Sequence, residues 1–210
     1  MAETDVACQV HWVLFDFGGV LAEEGFVQGL GEIARLNGQD PALVLSKAQE
    51  HIHASGYLLG QGRESDFWER MRQELGLVGQ EDDWRQNILH RFIIRDWMLE
   101  LVRRIRATGT GTAILSDQVD WLDRLNAEHG FFSLFDRVFN SYHLGRSKAD
   151  PGTFELVLRK LQCKPEQALF IDDSPGHIQR AKQAGLCGIL YQDRQDFLEQ
   201  LQEYCPGAVA

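Results

Sequence analysis

Short apolar runs that end in polar, glycine-rich turns alternate along this chain with longer stretches of helical periodicity. The first run, residues 10–15, breaks at Asp16-Phe17-Gly18-Gly19. A few consecutive apolar residues stopped by glycines predict a buried strand that delivers Asp16 to a tight turn at its carboxyl end. Residues 26–92 have a different texture. Asp40-Pro41 predicts an N-cap followed by proline at the first helical position. Ser65 before Phe67, Trp68, Met71 and Leu75 predicts a second amphipathic helix, and Asp82 or Asp83 before Trp84, Ile88 and Leu89 a third. Nothing in this stretch reads as a strand, so it is expected to be an all-helical insertion.

Beyond the insertion, strand and helix take turns. A helix at 99–107 stops at Thr108-Gly109, and a strand at 112–115 ends in Ser116-Asp117. A helix at 121–128 precedes a strand at 137–140. Asp150-Pro151 starts a helix to about 161, and a strand at 168–171 ends in Asp172-Asp173. Ser174-Pro175 starts a helix that stops near Ala184-Gly185, followed by a strand at 188–191 and a helix at 196–204. Alternation of this kind predicts an α/β fold, with a parallel sheet covered by helices on both faces.

The totals narrow the class. A chain of 210 residues can hold one sizeable core and a smaller lobe. Its 44% hydrophobic and 25% charged residues suit a soluble protein. A net charge of -10 argues against nonspecific binding to nucleic acid or anionic lipid, and no apolar stretch is long enough to span a membrane. The acidic start Met1-Ala2-Glu3-Thr4-Asp5 lacks a basic n-region, so no secretory signal is expected and the location predicted is cytoplasmic. Cys8, Cys163, Cys187 and Cys205 are scattered without a C-x-x-C pair and are expected as reduced thiols. The pattern sets no oligomeric state.

The strand ends carry the chemistry: Asp16, then Ser116-Asp117, then Asp172-Asp173, with Lys148 just before the Asp150-Pro151 helix start. In a parallel sheet these ends lie on one edge, where ligands bind. Several carboxylates in one pocket repel unless a counter-charge joins them. A hard divalent cation resolves this, and Mg2+ typically takes one or two carboxylates, waters and a substrate phosphate. The lysine offers a compact positive charge, and the serine hydroxyl can donate to phosphate oxygens. These groups point to metal-assisted phosphoryl transfer through an aspartyl-phosphate.

Phe15-Asp16-Phe17-Gly18-Gly19-Val20-Leu21, Ile114-Leu115-Ser116-Asp117, Lys148-Ala149-Asp150-Pro151, and Leu169-Phe170-Ile171-Asp172-Asp173-Ser174 with Ala181 and Gly185 stand in the order and spacing of four known motifs. In them the chain resembles the haloacid dehalogenase-like hydrolase superfamily, in its helical-cap branch. The resemblance implies a Rossmann-like three-layer core (residues 1–23 and 93–210) and a helical cap (24–92) that closes over the substrate. It implies Asp16 as nucleophile and Mg2+ ligand, with the Gly18 carbonyl, Asp172 and Asp173 completing the metal site. Ser116, Asp117 and Lys148 would meet the phosphoryl group, and Lys148 would also neutralise the nucleophile.

Several positions depart from the family pattern. Gly18 stands where the phosphatases carry a second Asp that moves protons. Glu23 and Glu24 are the candidates to replace it, against a solvated turn. Asp117 stands where Asn is common, and either points away or makes the pocket more selective. His177 also replaces an Asn and is expected to bond to backbone at a helix start. Ala149 replaces a common Pro. Outside the motifs, Thr108-Gly109-Thr110-Gly111-Thr112 is expected as a plain turn and His51 and His53 as surface residues. Trp68, Trp84 and Trp97 are expected as core fillers, and Arg146 as a solvated loop charge. The leading function is a Mg2+-dependent phosphatase for a small phosphate ester, with sugar phosphates suggested by analogy to related caps. The alternatives are a 2-haloacid dehalogenase and a non-catalytic interaction module on the same fold.

Overall fold

A computed structural model describes residues 7–209, so the acidic start Met1 to Asp5 lies outside the described residues. Five strands form one parallel sheet in the order β3-β2-β1-β4-β5. They are β1 (Trp12–Phe15), β2 (Gly111–Ser116), β3 (Arg137–Asn140), β4 (Ala168–Asp172) and β5 (Cys187–Leu190). The helices are α1 (Gly25–Leu36), α2 (Pro41–Ala54), α3 (Glu64–Leu75), α4 (Glu81–Leu89), α5 (Asp96–Ala107), α6 (Trp121–His129), α7 (Ser141–Leu144), α8 (Gly152–Leu161), α9 (Pro175–Gln183), α10 (Arg194–Tyr204) and α11 (Pro206–Val209). Sequence reasoning did not mark out α1, α7 or α11. The last two are single turns of four residues, too short to show a period.

Successive side chains of a strand face opposite sides of a sheet. On β1 this sends Val13 and Phe15 to one face and Leu14 to the other. The Phe15 face packs on α5 through Met98, Val102 and Ile105 and on α10 through Phe197 and Leu201. The Leu14 face packs on α8 through Phe154 and Val157 and on α9 through Ile178 and Ala181. Both faces are covered, which makes the core a Rossmann-like three-layer α/β/α unit.

Helices α1 to α4 fall between β1 and α5 and contain no strand, as the sequence predicts. Asp40 does cap α2, accepting the Ala42 N–H at 3.0 Å. The two connections to the sheet run side by side. Glu23 N–H donates to the Ile93 carbonyl and Arg95 N–H to the Leu21 carbonyl, both at 2.9 Å. Arg95 also grips Glu23 through two nitrogens, at 3.0 and 3.1 Å. Farther out, Trp121 at the start of α6 meets Phe26, Tyr57 and Trp68 of the insertion at centroid distances of 6.2–6.3 Å. The Tyr57 hydroxyl donates to Asp120 on the sheet side. Among the described residues no helix is long and apolar enough to cross a membrane.

The cysteine expectation is corrected in part. Cys8 and Cys205 form a disulfide, with Cα atoms 4.1 Å apart, while Cys163 and Cys187 are free. The cause is local pairing of the two chain ends: Gln9 N–H donates to the Tyr204 carbonyl at 2.7 Å. A separation of 197 residues gives no sequence clue to such a pair. Thiol titration of the unfolded, unreduced protein is expected to find the two free cysteines alone, and Cys8→Ser to lower stability by about 2–5 kcal/mol. Titration of all the cysteines without reductant would remove the bridge.

Candidate active site

The sheet order decides where the site is. From β1 the chain winds outward through β2 to β3, then returns to the other side of β1 with β4 and β5. The switch point therefore lies at the carboxyl ends of β1 and β4, the place where open α/β sheets bind ligands. Asp16 follows β1 and Asp172 ends β4, and the register pairs Phe15 with Ile171. Asp16 N–H donates to the Ile171 carbonyl at 2.9 Å, which ties the two strand ends together.

Lys148 comes from the loop before α8 and fills the gap. Its Nζ lies 2.7 Å from Asp16 Oδ2 and 2.6 Å from Asp172 Oδ2, with a side chain 1% exposed. Two residues hold its backbone. The Asp117 carboxylate accepts the Lys148 N–H at 2.8 and 3.0 Å, and Arg180 Nε donates to the Lys148 carbonyl at 2.9 Å. Asp117 lines the cavity, and its carboxylate is spent on the lysine loop rather than pointing away or meeting the phosphoryl group.

One lysine shared by two buried carboxylates leaves the group short of positive charge. Burial pushes the Asp16 carboxyl well above its ordinary range, and Asp172 adds to the rise against the pull of Lys148. Asp172 is also buried, yet Lys148 and His177 hold it below the ordinary carboxylate range. Burial opposes the charge on Lys148, but Asp16 and Asp172 keep it protonated.

His177 differs from expectation. Its Nδ1 lies 3.1 Å from Asp172 Oδ2, so it bonds to the carboxylate rather than to backbone. An ionised carboxylate only accepts, so Nδ1 carries the proton in this contact. Ser174 N–H adds a 2.7 Å bond to Asp172 Oδ1. Asp16, Asp172 and His177 each offer one atom within 4.8 Å of the others. Because His177 uses Nδ1 as a donor, the oxygens of Asp16 and Asp172 are the available ligands, and an oxygen-rich, negatively charged set fits Mg2+. Asp173 stands exposed beside this group and packs over Gly19. A Cβ on Gly19 would come within 2.0 Å of Asp173 Oδ2, and its φ of +77° already favours glycine.

The two glutamates part ways. Glu23 turns to Arg95, whose hydrogen bond lowers its carboxyl below the ordinary value. Glu24 faces the cavity. A Cβ placed on Gly18 would come within 2.7 Å of Glu24 Oε2, so this carboxylate occupies the space that a side chain at position 18 would enter. Burial, then the nearby charge of Asp173, pushes Glu24 up to about 6.

Asp16, Gly18, Ser116 and Asp117 share a cavity of about 210 Å³ with residues of the insertion. Among these, Phe26, Gln49 and Leu58 carried no sequence signal, because nothing sets them apart from ordinary helix and turn residues, while His53, expected on the surface, is exposed and lines the cavity. His51 and His53 separate as expected for positions two apart. His51 is buried, however, bonding to Glu74 at 2.6 Å rather than lying on the surface. Arg146 is an exposed partner of Asp150 at 3.3 Å. Trp68 and Trp84 are buried, and Trp97 lies half-buried against α10. Thr108 to Thr112 joins α5 to β2 at the opposite edge of the sheet. It borders a larger cleft of about 800 Å³ there, far from the carboxylates.

Pig (Sus scrofa) bifunctional epoxide hydrolase 2 is 28% identical over 114 residues, which are 50% of this chain and 20% of that protein. Mouse (Mus musculus) acyl-CoA dehydrogenase family member 10 is 32% identical over 93 residues, 42% of this chain and 8% of that protein. The chain thus spans a fifth or less of the length of these curated relatives. Among solved structures, HAD family enzyme bt-2542 from Bacteroides thetaiotaomicron gives a TM-score of 0.74 at 19% identity, covering 91% of this chain and 98% of that one. Its complex with magnesium and inorganic phosphate gives 0.68 at 19% identity, covering 87% and 94%. L-2-haloacid dehalogenase from Xanthobacter autotrophicus, with chloropropionic acid covalently bound, gives 0.63 at 20% identity, covering 92% and 82%. At these identities the likeness is one of fold. The haloacid dehalogenase-like hydrolase profile matches residues 10–185. That match runs through every strand end and loop that meets at the switch point, and on it the chain belongs to the haloacid dehalogenase-like hydrolases.

Proposed function

We propose that this hydrolase cleaves a small phosphomonoester with Mg2+, using Asp16 as the nucleophile. The observation that carries the reading is the pair of buried carboxylates, Asp16 and Asp172, joined by a single lysine at the switch point. The Bacteroides protein crystallised with magnesium and inorganic phosphate supports it as a distant analogy. Asp16, Asp172 and the Gly18 carbonyl would hold the metal, with Asp173 directly or through water. When bound, the ion supplies positive charge to the phosphoryl oxygens.

The side chains do the rest. A carboxylate oxygen of Asp16 attacks phosphorus, and the bond from phosphorus to the ester oxygen breaks, leaving an aspartyl-phosphate. Lys148 keeps Asp16 aimed and offsets the charge that builds on the phosphoryl group. The Ser116 hydroxyl donates to a phosphoryl oxygen. Asp117 acts through Lys148, whose backbone it holds. Protonated Glu24 gives its proton to the departing oxygen. In the second half, ionised Glu24 takes a proton from water as the water oxygen attacks phosphorus, and phosphate leaves Asp16 free. A group poised near neutral pH can serve in both directions, as a carboxyl raised to about 6 does.

The dehalogenase alternative finds less support. Halide displacement would also use Asp16 as the nucleophile, but it needs no cation, and the carboxylates of Asp172 and Asp173 beside it suit one.

Phosphate release from p-nitrophenyl phosphate is expected with Mg2+ and should vanish with chelator and in Asp16→Asn. Release that persists under chelation defeats the metal-dependent reading, and the absence of any turnover favours the interaction module. Glu24 has a separate test. Its folded value near 6 lies above the ordinary 4.5, so ionised Glu24 destabilises the fold above about pH 6, and the penalty fades as pH falls toward 4.5. Glu24→Gln should therefore stabilise the metal-free protein at pH 7.5 by about 2 kcal/mol in urea unfolding. The same variant should lower kcat about 100- to 10,000-fold and flatten its pH dependence near 6. A wild-type kcat in this variant would remove Glu24 from the proton relay.

A further inference from the structure

Two side chains of α9 reach the switch point, and they stand three positions apart. His177, near the start of the helix, brings Nδ1 to Asp172 Oδ2 at 3.1 Å. Arg180 sends Nε to the Lys148 carbonyl at 2.9 Å. Positions i and i+3 share a helix face, so one face of α9 meets both the strand-end carboxylate and the lysine loop. The helix itself is well fixed. Pro175 presets its first turn, and Ile178 and Ala181 are buried against the sheet.

These contacts close a ring. Lys148 Nζ reaches Asp172 at 2.6 Å, His177 bonds to Asp172, His177 and Arg180 belong to one helix, and Arg180 returns to the main chain of Lys148. The sheet register fixes Asp172 alone. The lysine stands in a loop, where Asp117 holds its N–H and Arg180 its carbonyl. Among the described residues no other donor reaches that carbonyl. A basic residue in the last turn of a helix can simply balance the helix dipole with its head in water. Arg180 is half-buried, and its Nε is tied to a loop 32 residues away, which dipole balance does not require. A lysine is a point charge on a flexible stem, so its backbone has to be placed before its ammonium can be.

We infer that Arg180 is a positioning residue for phosphoryl transfer, acting through the Lys148 carbonyl, and that α9 sets the spacing between the lysine and Asp172. This rests on the phosphatase reading and adds to it a residue that touches neither substrate nor metal. The Lys148 ammonium offsets charge that builds in the transition state, so an error in its place falls on kcat rather than on KM.

Two substitutions separate the hydrogen bond from the charge. The glutamine side-chain nitrogen lies as many bonds from the backbone as the arginine Nε, so Arg180→Gln keeps a donor and loses the charge. Arg180→Met keeps the length and loses both. Each variant is given p-nitrophenyl phosphate with Mg2+, and kcat is taken per folded molecule from a thermal melt. Arg180→Met is expected to lose about 10- to 100-fold in kcat with KM within about twofold, the effect of a catalytic group displaced by about 1 Å. Arg180→Gln is expected to recover most of that loss. Wild-type kcat in Arg180→Met overturns the inference, as does a rise in KM with kcat unchanged. Equal losses in the two variants also overturn it, because the charge and not the bond would then be the active feature. Each of these results leaves wild-type turnover, and with it the phosphatase reading, in place. No turnover by the wild-type protein overturns both.

Discussion

One ammonium group between two carboxylates organises this molecule. Lys148 Nζ sits within 2.7 Å of Asp16 and 2.6 Å of Asp172, and all three are buried. Removing one partner from such a group leaves a buried charge without compensation, at a typical cost of about 3–5 kcal/mol. The fold keeps the group together in several independent ways. The parallel register puts the two strand ends side by side, and Asp117 and Arg180 fix the lysine backbone from both sides. Ser174 and His177 satisfy the remaining oxygen of Asp172. The cluster is nevertheless one positive charge short. That shortage leaves Asp16 the easily protonated member, and it makes a divalent cation welcome.

Much of this was legible in the sequence. A strand that runs into a polar turn can be read from a window of a few residues, and Asp16, Ser116 and Asp172 stand at such ends. Strand and helix alternation fixes a parallel sheet, and a parallel sheet forces those ends to one edge. What escaped depends on distances that no window contains. Glu23 and Glu24 are neighbours with the same chemistry. Arg95, 72 residues from Glu23, decides which of them faces the cavity. The role of Asp117 is likewise set by a loop 31 residues away. Cys8 and Cys205 could not be paired by spacing, and His177 finds its carboxylate only because α9 starts directly after β4.

The departure at position 18 has a spatial logic. The family pattern places a carboxylate on the residue two beyond the nucleophile. Here that residue has no side chain, and a carboxylate from the start of α1 enters the vacated space. A carboxylate can therefore stand beside position 18 while a different backbone position supplies it. Residues 18 and 24 form a coupled pair for the same reason: a larger side chain at 18 would collide with Glu24 as it now stands.

The aromatic contacts of Trp121 with Phe26, Tyr57 and Trp68 tie the inserted helices to the sheet side of the molecule. Exposing even one such ring, at ~150–250 Å² and ~25 cal/mol per Å², costs about 4–6 kcal/mol. A fully swung-open state is then populated about once in a thousand molecules or less. Shut is therefore the resting arrangement of the helices over the sheet edge, and opening them means parting these rings.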